Sequence, residues 1–437
     1  MKKQQSLVET ILKCPDLEVK LKLLGFAIGY PTIQHILRST PPQLIMVALK
    51  EYDAYMRSVY ERAIAAEISD LTWERMSLSY AHGGLSIKSV DRSAALSYVS
   101  SVANALPEMK LQLKDPNYQG PRELDVALVL INNQLPSADH ITREMVLEGK
   151  VDQKSIGKKM EEVLYQNHLE KMRGRDKTHL MAISDSHVSA WLHYKPTARE
   201  PRMTNEEYRI SLLRLLGIPI FTGEFQCPMF KCGAMVDVHG DHSAELCKCG
   251  KEFHVRHDDL KLKVADLVRA AGYHVEVEAT IKVANKQKNQ KEPRPCDLEL
   301  AYGGPKTDGK ILAVDITLKS VKQRGLSELG EEEPGIAAKK AQEMKHKKYD
   351  GYLEELGKRN PRKQYKLLCI ARETTGRFGG EGLPFLQDLL RTVAQREKKP
   401  YCLVAAKFWQ MSSYSLHMFN ARAIVWRSQV AAVRKQD

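Results

Sequence analysis

The sequence predicts an α+β multidomain chain, with an N-terminal all-α region, a small metal-binding knuckle and a C-terminal α/β domain. Three observations predict it. Apolar residues recur at helical spacing through the first half. Cysteine, histidine and glycine crowd into residues 227–257. Beyond them, helix-like and strand-like stretches alternate, as in a sheet covered by helices. The expected segments are 1–115, 116–222, 223–256 and 257–437.

In chain order, residues 6–70 read as helices. Leu7, Ile11 and Leu12, then Val19, Leu21, Leu23 and Leu24, carry the spacing. Ser39-Thr40-Pro41-Pro42 is a break, and Pro41-Pro42 opens a long helix bearing Leu44, Ile45, Val47, Ala48 and Tyr52. Gly83-Gly84 marks a turn before a short extended Leu85-Ser86-Ile87, and 91–113 reads as a helix pair. Pro and Gly interrupt 114–150. A charged helical stretch covers 150–180, where Lys158-Lys159 and the cations from Lys171 to Lys177 look like a solvated face. Residues 196–202 are linker-like, and a helix from Asn205 stops at Gly217.

After the cysteine-rich segment, Leu260, Val264, Leu267, Val268 and Ala271 form one helical face closed by Gly272. Strands are expected over Tyr273–Thr280, Asp297–Tyr302, Ile311–Leu318 and Lys366–Ala371, with Gly303-Gly304 as a turn. Helices are expected over 335–356 and Leu383–Arg396.

Composition narrows the function classes. The 437 residues are 43% hydrophobic, enough for packed cores. Lys+Arg number 67 against 54 Asp+Glu, a formal charge of +13, which favours a polyanionic partner such as nucleic acid. The eight cysteines are too unevenly placed for a disulfide framework. No signal-peptide pattern follows Met1-Lys2-Lys3, and no apolar run approaches a membrane span. The expectation is a nuclear or cytoplasmic protein, neither secreted nor membrane-bound. Nothing in the sequence assigns an oligomeric state.

Cys227, Cys232, His242 and Cys247 form two close ligand pairs separated by a gap, the spacing that lets one tetrahedral zinc ion join two tight turns. Cys249 competes with Cys247, and His239 with His242. Four protein ligands leave no open position, so the ion is expected to be structural.

An acidic constellation follows. Arg256-His257 precedes the helix; then come Glu276, Glu278, Asp297 and Asp315. Asp315 lies inside the apolar run Ile311–Ile316, where an unpaired carboxylate is costly. Two aspartates and a glutamate could converge on magnesium or manganese, which take oxygen ligands and activate water in phosphodiester cleavage. Asp315, Thr317 and Lys319 share a strand face. Lys319 and Lys345 are candidate cations for the developing phosphate charge. The bland alternative pairs these aspartates with surface lysines. Arg256 and His257 either contact nucleic-acid phosphates or cap the helix that follows.

These residues in their order, Gly240-Asp241-His242, Cys247, Arg256-His257, Ala271-Gly272, Glu278, Arg294-Pro295-Cys296-Asp297, Asp315-Ile316-Thr317, Lys345, Tyr349 and Glu373-Thr374, resemble the C-terminal end of non-long-terminal-repeat retrotransposon polyproteins that carry a restriction-like endonuclease. Upstream, Arg38–Pro42, Gly83–Ile87, Ala94–Tyr98, Ser189-Ala190-Trp191-Leu192 and Leu213–Gly217 resemble the thumb and linker that follow a reverse-transcriptase palm. The resemblance implies a thumb-like 1–115, a helical linker over 116–222, a Cys-Cys-His-Cys zinc knuckle over 223–256, and a PD-(D/E)XK restriction-endonuclease-like domain over 257–437 that nicks DNA. It favours His242 and Cys247 as zinc ligands. It implies Asp297 and Asp315 as magnesium ligands, Glu278 as an auxiliary acid and Lys345 as a catalytic lysine moved onto a helix. DNA is the implied partner, with RNA as a second. Three departures stand out. Cys296 is inserted between Pro295 and Asp297, Thr317 replaces a lysine, and no Tyr-x-Asp-Asp polymerase motif occurs. The last is expected of a truncated or domesticated element rather than a complete reverse transcriptase.

Overall fold

The computed structural model describes residues 2–278, 296–300, 310–359 and 361–434. Expectations placed on Thr280, Arg294, Pro295, Tyr302, Gly303 and Gly304 lie outside the described residues.

Helices begin where buried or local acceptors satisfy their first N–H groups. The first unit, Met1–Met172, contains α1 (Lys2–Leu12), α2 (Leu17–Ala27), α3 (Tyr30–Ser39), α4 (Met46–Ile64), α5 (Asp70–Met76), α6 (Val90–Gln112), α7 (Leu124–Asn132), α8 (Arg143–Leu147) and α9 (Gln153–Lys171). Its axis is α6. The buried Asp53 of α4 accepts the Ser89 hydroxyl at 2.6 Å and the Val90 N–H at 3.0 Å, placing negative charge at the positive end of α6. The helix pair expected over 91–113 is one helix with Pro107 inside it. An interior proline costs about 3 kcal/mol. Val99, Val102, Ala103 and Leu106 are buried beside it. At roughly 1.5–3 kcal/mol per large apolar side chain, that burial outweighs the proline and keeps the helix continuous.

The second unit, Arg173–Asp437, runs α10 (Gly174–Ile183), α11 (Asn205–Leu216), β1 (Phe225–Gln226), β2 (Met235–Val236), α12 (Glu252–Ala270), β3 (Val275–Val277), β4 (Leu298–Leu300), β5 (Ile311–Lys319), α13 (Ser327–Gly330), α14 (Ile336–Arg359), β6 (Tyr365–Glu373), α15 (Gly382–Glu397) and α16 (Tyr401–Val433). A capping box of Thr204 and Glu207 starts α11, and left-handed Gly217 ends it, at the stop the sequence predicts. The expected linker region 116–222 is split: α7–α9 belong to the first unit, α10 and α11 to the second. The cysteine-rich segment is also part of the second unit.

Here the architecture is mixed and helix-rich with small sheets. The four-stranded sheet has order β3-β4-β5-β6. β3, β4 and β5 pair antiparallel, whereas β6 joins β5 in parallel through the α14 crossover. One face packs Val314, Ile316, Leu368 and Ile370 against α12, α15 and α16. The other packs Ala313, Cys369 and Ala371 against α14. Covered on both faces, β5 reads as a continuous apolar run, which makes a charged residue in it conspicuous.

α16 spans 33 residues and has no polar stripe for periodicity to detect, as for a helix surrounded by protein. Among the described residues, no helix is long and apolar enough to cross a membrane.

Candidate metal centre and carboxylate site

Two turns build the metal centre. In the β1–β2 hairpin, the Cys227 N–H donates to the Ala234 carbonyl at 2.8 Å and the Cys232 N–H to the Met229 carbonyl at 3.1 Å. Lys231 and Gly233 take left-handed backbone angles, which turn the Cys232 side chain back towards Cys227. The second turn is gathered by Asp237, whose carboxylate accepts the N–H groups of His239, Asp241 and His242 at 2.9–3.1 Å. A single π-helical turn, His242–Leu246, then presents His242 and Cys247. Gly240 has φ +70°, and a Cβ there would lie 3.0 Å from Ile424 of α16. This glycine is needed both for the turn and for the close approach.

The ligand atoms of Cys227, Cys232, His242 and Cys247 all lie within 4.8 Å of one another. The Sγ–Sγ distances are 4.0 Å for Cys227–Cys247 and 3.8 Å for Cys232–Cys247, and Cys232 Sγ lies 3.3 Å from His242 Nε2. A tetrahedral ion with bonds of about 2.3 Å to sulfur separates two sulfurs by about 3.8 Å. The cluster therefore fits and could hold a metal ion such as zinc. Cys249 is exposed and falls outside the group of four, as does His239.

The carboxylate site lies on β5 and its neighbours. Asp297 brackets Asp315: its N–H donates to the Val314 carbonyl at 2.9 Å, and its Oδ2 accepts the Ile316 N–H at 2.7 Å. His257 Nε2 donates to the Ile316 carbonyl at 3.0 Å and lies 3.3 Å from Asp297 Oδ2. Burial opposes the charge of His257, but Asp297 outweighs it and raises its pKa. Asp315 is 3% exposed. From α14, Lys345 Nζ approaches its Oδ1 at 2.9 Å and its Oδ2 at 2.8 Å. Burial pushes the Asp315 carboxyl up to about 6 despite Lys345, and the nearby Asp297 charge adds to the rise. Its buried Oδ2 has a close cation but no properly angled hydrogen bond, an acceptor left incompletely satisfied. Thus Asp297, Asp315, Lys345 and His257 come together.

Glu278 and Arg256 are corrected, and Lys319 stands apart from the two aspartates. The Glu278 carboxylate turns to Lys261, so it is drawn away from an auxiliary place beside Asp315, although its N–H donates to the Asp297 carbonyl at 2.7 Å. Lys319 ends β5 and makes no ion pair with Asp297 or Asp315 among the described residues. Arg256 is 4% exposed, and its guanidinium donates to the Ala244 carbonyl and to Asn420 Oδ1. Helix α12 starts at Glu252, so Arg256 is an internal brace instead of a phosphate contact or a cap.

Sequence reasoning missed two groups. In the first, Asp241 and Glu245, beside and between the second pair of metal-site residues, enter a buried ionic network. Lys322 Nζ reaches Asp241 Oδ1 at 2.5 Å and Glu245 Oε1 at 3.1 Å. Arg175 Nε donates to Asp241 at 2.8 Å, and Arg214 to Glu245. The Ser320 and Thr374 hydroxyls each donate to Glu245 Oε2 at 2.7 Å. Burial alone would raise both acids. Lys322 and Arg214 outweigh it, holding Glu245 down to about 2 and Asp241 well below the usual carboxylate range. Ser320 and Thr374 directly follow β5 and β6, so this network bolts the metal turn to the sheet. A glutamate between two metal-site residues was a visible signal; Arg175, Arg214 and Lys322 had none nearby. In the second group, Glu381 accepts the Cys369 N–H at 3.2 Å and pairs with His346 at 2.9 Å. Cys369 lies opposite Asp315 in the β5–β6 register, so Glu381 borders the site.

No protein-family model matches this chain, and no curated protein matches it.

Proposed function

We propose that the second unit is a metal-dependent DNA endonuclease, a restriction-like domain of the PD-(D/E)XK type derived from a retrotransposon protein, with a structural zinc at its knuckle. The observation that carries this reading is the meeting of Asp315, in the apolar strand β5, with Asp297 from the start of β4 and Lys345 from α14. The element order α12, β3, β4, β5, α14, β6 supports it, as does the net charge of +13.

In this reading Asp297 and Asp315 would hold magnesium or manganese by oxygen, and the ion would supply water activation and charge stabilisation. Lys345 is displaced from its ion pair towards the scissile phosphate, where its ammonium offsets developing negative charge. His257, held by Asp297 and the Ile316 carbonyl, orients the Asp297 carboxylate. Cys227, Cys232, His242 and Cys247 hold the zinc, and the Asp241–Glu245 network fixes their turn against the strands that carry the acids. DNA, and RNA second, are the proposed partners, in the nucleus or the cytoplasm.

A second reading is a non-catalytic nucleic-acid-binding remnant. Both Asp315 oxygens face Lys345, Glu278 is tied to Lys261, and Thr317 stands where the resembled motif has a lysine. Incubation of supercoiled plasmid with the purified chain and Mg²⁺ or Mn²⁺, beside Asp315→Ala, separates the two. Nicking by the parent alone is the expected outcome. Equal nicking by both proteins refutes the site, and salt-sensitive binding without nicking favours the remnant.

A further inference from the structure

We propose that the first unit contains a binding site for a phosphate-bearing ligand of nucleotide size, in a cavity between α6 and α9. The site is independent of the nuclease reading, since every residue lining it lies in Met1–Met172. The cavity measures about 480 Å³, within the range of small-molecule sites.

Its charge is unbalanced. Lys88, Arg92, Lys154, Lys158 and Lys171 line it, against Glu74 and Glu161. Both acids already have partners. Glu74 pairs with Arg92 Nη2 at 2.8 Å. Glu161 accepts His82 Nδ1 at 2.6 Å and the Ser79 N–H at 2.8 Å. Burial opposes the charge of His82, but Glu161 outweighs it and raises the imidazole pKa. The five lining cations outnumber the two lining carboxylates. Lys154, Lys158 and Lys171 make no ion pair among the described residues, and Lys88 lies 5.0 Å over the Tyr30 ring. The Arg92 guanidinium is engaged by Glu74.

Lys88, Lys154, Lys158 and Lys171 are exposed along this opening, whereas the neighbouring Lys159 turns away to Asp139. Lys154 and Lys158, four apart, share a face with Gly157 and Glu161. Like charges at that spacing repel, and a bound anion relieves the repulsion. Asn133 and Asn167 line the same space, and their amides have no described partner, leaving donors and acceptors for a polar ring edge. Leu96 and Met160 add apolar wall. Several ammonium groups, unused amides and an apolar patch suit a phosphate ester carrying a sugar or base.

Titration calorimetry on the full chain tests this with three probes: adenosine 5′-monophosphate, adenosine, and a 5′-phosphorylated thymidine hexanucleotide. Phosphorylated probes are expected to bind at about 50 mM salt and to weaken as salt rises, while adenosine does not bind. Binding of the mononucleotide marks a free-nucleotide site. Binding of the hexanucleotide alone marks a site for the phosphate of a strand. The double variant Lys154→Gln/Lys158→Gln is expected to lose about tenfold or more in affinity. Gly157→Gln keeps every cation but projects a side chain into the cavity, where a Cβ at Gly157 already lies 3.6 Å from Leu96; it is expected to abolish binding without lowering the melting temperature. Failure of both phosphorylated probes to bind the parent overturns the site. So does unchanged binding by Gly157→Gln, which would reduce the effect to surface charge.

Discussion

The metal centre and the carboxylate site lie in one unit but are assembled by opposite means. The metal centre draws its four side chains from residues 227–247, and two local turns bring them within 4.8 Å. The carboxylate site draws Asp297, Asp315 and Lys345 from the start of β4, the middle of β5 and the crossover helix. They meet only because β4 pairs with β5 and α14 packs on the sheet. Local spacing can therefore be checked residue by residue, whereas a site assembled from distant elements tolerates irregular spacing. Cys296, beside Asp297, is buried against Ala313 and Tyr349, and Asp297 reaches both neighbours of Asp315.

The largest expected effect sharpens the local side of this contrast. Cys232→Ser removes one of four ligands, and structural zinc contributes about 10–16 kcal/mol in isolated knuckle-sized peptides. Metal analysis of natively purified protein is expected to show one zinc per chain in the parent and none in this variant, with a broadened, much lower thermal transition. Cys249→Ser is expected to retain the metal. A metal-free parent would break the comparison at its firmer end.

Next comes the network joining the two sites. Glu245→Gln leaves Arg214 and Lys322 buried with less negative charge, and breaking one partner of such a pair costs about 3–5 kcal/mol. Denaturant melts at neutral pH read this directly. The pH dependence has a definite sign. The folded pKa of Glu245 is depressed to about 2, against about 4.3 unfolded. Its stabilisation is present above the unfolded value and lost as pH falls from about 4.5 towards 2. Glu245→Gln is expected to flatten the acid limb over that window.

Lys345→Ala tests the long-range site. Loss of a cation aimed at developing charge is expected to reduce nicking about 10²–10³-fold, with Lys345→Arg recovering part of it. Asp315 has a raised pKa of about 6, so it is ionised above that value and protonated below it. Parent nicking is expected to rise with pH to a plateau above about 6. Without Lys345 the buried acid loses its cation, and the midpoint of any residual activity moves upward. A midpoint unmoved by Lys345→Ala would separate the lysine from the aspartate.

The smallest effect falls on a residue that the sequence singled out and the structure sets aside. Glu278 is 69% exposed in its side chain and paired with Lys261. Glu278→Gln is expected to change stability by at most about 1 kcal/mol and nicking by less than about twofold, less than one kcal/mol in barrier. A loss comparable to that of Lys345→Ala would return Glu278 to the site.

By itself the sequence determined the features that depend on neighbours along the chain. These include the start of α11 at Asn205, the Gly217 stop, the metal-site spacing and the apolar run that makes Asp315 costly. Tertiary structure decided the rest. It made one helix of 90–112 by burying Leu106 and its neighbours beside Pro107. It hid α16, whose surroundings leave no polar stripe to read. It turned Arg256 inward to Asn420, drew Glu278 to Lys261, and chose Lys345 over Lys319 for Asp315. The physical reason is common to these cases. A charged side chain takes the partner whose geometry repays its desolvation, and that partner is fixed by packing between elements, not by distance along the chain.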